Sequence, residues 1–231
     1  MNAHMSSFAD VSKVESTRYA LIRRLGYVFR HDLVVNLQPL NLVCQVLHQR
    51  LNATSLDVSS LRDSVDRISR LVRLSIDSCS DVVSWFNPDS SSTIAVDVAV
   101  GECLGNVRSS FSFRGFTIRY EESGQGTIVS RVAVREVLSA ALIAATDHAQ
   151  GLNDIAVTVQ SAENAVKIAI QMQMRRDAKE SHPEHDAYRL IDWGDVQILA
   201  DFHGTQVSRS GENLVEIRMQ PVLCQPSAAL G

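Results

Sequence analysis

Apolar side chains recur every seven positions from residue 13 to residue 51: Leu21, Val28, Val35 and Leu42 in one row, Ile22, Phe29 and Val43 in a second, and Leu33, Leu40 and Leu47 in a third. With the intervening offsets of three and four, this pattern predicts a long helix with a broad buried face. The polar stretch NATSLD breaks it. A second helix is predicted over 58–86, where Val58, Val65, Val72, Cys79 and Phe86 alternate with Leu61, Ile68, Ser75 and Val82. Arg62, Asp63, Asp66, Arg67, Arg70 and Arg73 lace the outside of this heptad. Two long helices joined by a short connection make an antiparallel hairpin. Apolar faces this broad are covered most simply by a second copy in a dimeric four-helix bundle; the alternative is that the rest of the chain folds back over them.

The pattern changes after NPDSSST at 87–93, whose Pro, Asp and serines mark a domain boundary. A helix is expected over 97–113, then a strand at FTIRYE, a glycine-bearing turn at ESGQG and a short strand at TIVS. Ser130 is a fitting N-cap for the next helix, with Glu136 in its early turns. IAVTVQ and AVKIAIQMQ alternate around the polar SAEN and predict a β-hairpin. After RRDAKESHPEHD, a helix over about 188–203 should stop at Gly204, and TQVSRSGENLVEIRMQPV should form a closing hairpin. The expected fold class is therefore α+β, with a helical hairpin over 1–88 and a layer of helices on a mainly antiparallel sheet over 89–231.

Charge narrows the functional classes. With 22 basic against 26 acidic residues, the chain carries no general attraction for nucleic acid or an anionic membrane. The longest apolar run, LSAALIAA at 138–145, is far shorter than the ~20 residues a membrane span requires. No basic-then-apolar signal pattern opens the sequence, whose first residues, MNAHM, read as an expression remnant with a start at Met5. The four cysteines, at 44, 79, 103 and 224, form no CxxC and have no His partner at ligand spacing. They are expected to be reduced, mostly core residues of a cytoplasmic protein, with neither zinc nor disulfides.

One polar pair interrupts the first helix. In FRHDLVVNLQPL, at 29–40, His31 is followed by Asp32, and its seven-residue neighbours are Arg24, Gln38 and Gln45. That row is polar throughout, which predicts an imidazole at the solvent edge rather than in the core. His48, His148 and His203 have no comparable setting, the latter two being read as structural, and His182 and His185 as parts of a solvated loop.

Taken in order, a helical hairpin with a mid-helix His-Asp, a Pro/Ser linker, and then helix, strands, helix, hairpin, helix and hairpin resembles the catalytic core of bacterial sensor histidine kinases. RHDLVVNLQPL is similar to that family's H-box, and REVLSAALIAATDHA at 135–149 to its N-box helix. WGDVQILADFHGTQVSRSGENLVEIRM is similar to the segment that closes the nucleotide domain. The resemblance spans about 15–222 and implies a Bergerat-type α/β sandwich after the hairpin. It also implies a nucleotide site whose parts are missing here. The two N-box asparagine positions fall on Ala140 and Ala144, and a methyl group cannot ligate Mg²⁺. MRRDAKE lacks the glycines of an adenine-binding Asp-x-Gly-x-Gly loop, and only Gly194 remains where a glycine-rich phosphate loop would stand. A degenerate domain that does not bind ATP is expected.

A surface histidine beside such a domain resembles the dimeric histidine phosphotransferases of phosphorelays. The resemblance implies that His31 carries a phosphoryl group to or from receiver-domain aspartates. A neutral imidazole, with a reference pKa of ~6.5, is a competent acceptor near neutral pH. Asp32 would hold one ring nitrogen as N–H and leave the other as nucleophile. Arg24, Arg30, Asn36 and Gln38 complete the candidate phosphoryl- or partner-binding set, the arginines by steadying phosphoryl oxygens or meeting an acidic receiver pocket. Val35 stands where the family often has a Thr or Asn linked to dephosphorylation, and Pro39 should kink the helix just past the site. No cofactor of its own is expected, Mg²⁺ coming with the receiver. The expected partners are response-regulator receiver domains, a hybrid histidine kinase and a second copy, with neither nucleic acid nor membrane. A non-catalytic dimeric adaptor and an atypical ATP-dependent kinase are the alternatives.

Overall fold

The computed structural model describes residues 2–53, 57–122, 126–149, 153–174, 189–211 and 213–222, with side chains from residue 10 onward except that of residue 153. The chain divides into two compact units, Gly26–Pro88 and Met1–Leu25 together with Asp89–Gly231. The hairpin unit of this division ends at Pro88. The first 25 residues differ from the expectation, grouping with the α/β unit instead of the hairpin.

The hairpin unit is made from the second part of α1 (Asn2–Leu51) and from α2 (Val58–Phe86). The Asp57 side chain caps α2 by accepting from the Ser59 N–H, and Pro88 lies just past its end at Asn87. The ring of Phe29 lies 5.7 Å from that of Trp85, the Ser75 hydroxyl donates to the Asn36 carbonyl, and Arg50 donates to Ser60 and Ser64. Rising numbers on α1 thus meet falling numbers on α2, the antiparallel order the pattern predicts. Pro39 sits inside an unbroken α1, where its lack of an N–H leaves the Val35 carbonyl without its helical donor.

The two heptad rows of α2 separate. Leu61, Ile68, Ser75 and Val82 are partly or fully covered, whereas Val58, Val65, Val72, Cys79 and Phe86 are all exposed, Val58 by 69% and Phe86 by 63%. Val35 and Leu42 on α1 are exposed as well. The broad buried face expected of this hairpin is therefore only half buried within one chain. The cysteine reading is corrected as well: Cys103 is buried, but Cys44 and Cys79 are exposed. Cys224 lies outside the described residues.

The α/β unit is the α+β layer the alternation predicts. Its five-stranded sheet has the order β2 (Thr117–Glu121), β4 (Asn153–Ala162), β5 (Ala165–Met174), β7 (Leu214–Met219) and β6 (Gln206–Ser210). β2 and β4 run parallel and the other pairs antiparallel. β1 (Thr93–Ala95) and β3 (Ile128–Ser130) make a separate two-stranded ribbon. Strand alternation puts Ile155, Val157, Val159, Val166, Ile168, Ile170, Val215 and Ile217 on the buried face. α3 (Val96–Phe113) and α5 (Trp193–Phe202) pack with α4 (Arg131–Asp147), in which every residue from Val132 to Thr146 is buried. As expected, Ser130 caps α4, its hydroxyl accepting from the Ala133 N–H.

α5 is shorter than expected, starting at Trp193 rather than near 188. Asp192 accepts from the Asp195 N–H while the Asp195 carboxylate accepts from the Asp192 N–H, a reciprocal cap that fixes the start. Gly204, with φ of +63°, ends the helix as predicted. The RRDAKESHPEHD stretch, with His182 and His185, lies outside the described residues.

Candidate functional site

The His31 imidazole is half exposed, its side chain 54% accessible, and Nδ1 lies 3.2 Å from Asp32 Oδ1. Helix geometry explains the placement. The buried positions beside it, Val28 and Phe29, take the covered stripe, and residues 30–32 turn outward. Asp32 is equally open, at 51%, so the pair is hydrated on its outer side. In the tautomer that carries its proton on Nδ1, that nitrogen donates to Asp32 and Nε2 keeps its lone pair.

Around this pair the predicted residues divide. Arg30 is exposed, with its guanidinium 5.6 Å from the centroid of the Tyr27 ring, and retains donors for an incoming anion. Gln38 is exposed. Asn36 is partly covered, and its carbonyl is used by Ser75. Arg24 is different: its guanidinium is 17% exposed and donates to Asp147 Oδ1 at 2.6 Å. That charge faces a carboxylate of its own compact unit rather than solvent. The polar row of Arg24, His31, Gln38 and Gln45 thus faces solvent from His31 onward, while Arg24 serves packing.

In the α/β unit, Ala140 and Ala144 have no exposed surface at all. Neither side chain offers an oxygen. Gly194 has a local reason to lack a side chain, because a Cβ there would come within 3.0 Å of the Asp192 carboxylate that caps α5. The MRRDAKE stretch lies outside the described residues from 175 onward. No group of three or more His, Cys, Asp or Glu that could hold a metal ion occurs among the described residues. Cys103 is inert, since burial pushes its thiol up to about 12 and leaves it protonated near neutral pH.

Sequence reasoning missed the buried charges. Glu136 is met by Arg18 Nε at 2.9 Å and by His203 Nε2 at 2.8 Å. Asp147 is met by Arg24 and Arg114, and Asp195 by Thr17 and Arg189. Arg131 and Arg135 both reach Glu102. The spacing Asp192-x-x-Asp195 before an apolar run was a readable helix-start signal; the long-range partners had none. His203 is structural as expected, and so is His148, whose ring contacts the Ala144 carbonyl at the end of α4.

No protein-family model matches the chain, and no curated protein matches it. Solved structures give distant likenesses. The catalytic domain of the histidine kinase ThkA aligns at 14% identity and a TM-score of 0.42, over 56% of this chain and 95% of that one. The histidine kinase AdeS of Acinetobacter baumannii aligns at 12% identity and 0.42, over 79% and 96%. A structure described as a bacterial phosphotransferase aligns at 14% identity and 0.39, over 86% and 95%. Similarity at this level carries no function to the chain. No described helix is long and apolar enough to cross a membrane.

Proposed function

We propose that the chain is a histidine phosphotransfer protein that exchanges a phosphoryl group between His31 and receiver-domain aspartates. The observation that carries this reading is the His31–Asp32 pair, with its open imidazole and a carboxylate at Nδ1. In the forward step, Nε2 attacks the phosphorus of a receiver aspartyl phosphate. The P–O bond to the aspartate breaks, its electron pair leaves with the carboxylate, and the imidazole keeps its Nδ1 proton against Asp32. Arg30 neutralises the phosphoryl oxygens as they arrive. The receiver supplies Mg²⁺, and no ATP enters the cycle because Ala140 and Ala144 offer no metal ligand.

The exposed apolar row of α2 supports a homodimer. Val65, Val72, Cys79 and Phe86 leave an apolar edge in contact with water, and Leu37, Leu40, Val72, Ile76 and Val83 line an open groove of about 640 Å³. Covering this face with its own copy makes the four-helix bundle.

The test is transfer from phosphorylated receivers to wild type and to His31→Ala. The proposal expects the variant to fold and bind receivers but to accept no phosphate; retained biological activity of the variant would favour a non-catalytic adaptor. Saturable, Mg²⁺-dependent binding of a fluorescent nucleotide would favour an ATP-dependent kinase.

A further inference from the structure

Three carboxylates on α4 and α5, those of Glu136, Asp147 and Asp195, are at most 8% exposed, and each is met from two directions. One partner of each comes from α1: Arg18 for Glu136, Arg24 for Asp147 and Thr17 for Asp195. The other belongs to the remainder of the unit: His203 for Glu136, Arg114 for Asp147 and Arg189 for Asp195. All of these residues lie within one compact unit. On α1, Thr17, Arg18 and Arg24 share a stripe with Val14, Leu21 and Leu25, which are buried, while Lys13, Glu15, Tyr19 and Arg23 on the opposite side are exposed. On α4, Glu136, Ala140, Ala144 and Asp147 follow one another at offsets of four, four and three, so they also share a face.

We propose that this face of α4, with Asp195 of α5, is a docking site for an amphipathic helix carrying arginines, and that residues 14–25 of this chain are its detachable occupant. The duplicated partners are the reason. A buried carboxylate stripped of its only cation is strongly destabilising, which would make the α1 contact a fixed part of the core. Here each carboxylate keeps a cationic or hydrogen-bonding partner when α1 leaves, so the face stays compensated whether occupied or empty. The hold at Asp147 is also a light one. Arg24 uses a single nitrogen on Oδ1, with no two-pronged fork, and Oδ2 accepts no hydrogen bond. Arg24 and Arg114 share that one oxygen, and their like charges repel. The face that the family resemblance assigns to a nucleotide thus recognises a helix of its own chain.

The inference does not use His31, so it stands or falls separately from phosphotransfer. Hydrogen exchange on the full chain tests it. Residues 14–25 should exchange through a local opening rather than through global unfolding, and Arg18→Ala with Arg24→Ala should speed that exchange about tenfold or more while α4 stays protected. A synthetic peptide of residues 10–28 should bind this double variant saturably, and the peptide with both arginines changed to Glu should bind about tenfold or more weakly. The proposal is overturned if residues 14–25 open only with the whole protein, if the double variant loses α4 protection or fails to fold, or if the two peptides bind alike.

Discussion

The two units bury their side chains in opposite ways. In the α/β unit, α4 has no exposed residue between Val132 and Thr146, and carboxylates, arginines and a histidine are taken inside with partners. In the hairpin unit, a whole heptad row is left exposed, and His31 lies half open with Nδ1 beside the Asp32 carboxylate. The α/β unit closes around a core in which Ala140 and Ala144 bring no side-chain oxygen. The hairpin unit leaves an apolar row exposed and carries the half-exposed His31, the nucleophile of the proposed transfer. The proposed carrier role calls for that division, because a carrier must present its histidine to several partners in turn.

The contrast can be broken most decisively at His31. Replacement by Ala should abolish phosphate acceptance, a loss of about a thousandfold or more, with the far-UV circular dichroism unchanged because a half-exposed residue contributes little packing. Leu142, fully buried in α4, should behave in the reverse manner: Leu142→Ala should destabilise the α/β unit by about 2–5 kcal/mol in chemical denaturation. Transfer at temperatures where this variant is folded should persist. Val65→Asp with Val72→Asp addresses the exposed row. Light scattering should report a dimer for wild type and a monomer for this variant, and a variant as large as wild type would remove the row from the interface.

Smaller effects sharpen the comparison at helix ends. Ser130→Ala removes the α4 cap and should cost about 1 kcal/mol in thermal or denaturant unfolding. Asp57, which caps α2 in the hairpin, is held below the ordinary carboxylate range by hydrogen bonds, first from the Ser59 side chain and then from backbone N–H groups. A carboxyl lowered on folding contributes stability above its unfolded pKa and loses it as pH falls through the folded one. Acid titration followed by helix signal should therefore show a hairpin component that Asp57→Asn removes.

Much of this architecture was legible because it is periodic. The heptads placed α2 at its observed bounds, Gly204 ended α5, and the polar row through His31 put the imidazole on the surface. Periodicity failed where a polar residue is buried by a distant partner. Arg24 belongs to the same polar row as His31, yet it is drawn inward by Asp147, 123 positions away in sequence. Glu136 read as a favourable early-turn residue and is instead held between Arg18 and His203. Such pairings depend on which helix lands on which face, a property that no local pattern encodes. Cys79 failed for the complementary reason: a heptad position states which way a side chain points, but not whether anything covers that direction.

The most direct measurement of the central claim is the chemical stability of the phosphate after incubation with a phosphorylated receiver domain. The account predicts a label on the peptide containing His31 that is lost in acid and survives alkali, as a phosphoramidate should. A label that survives acid, or one found on another residue with His31 unmodified, would contradict it.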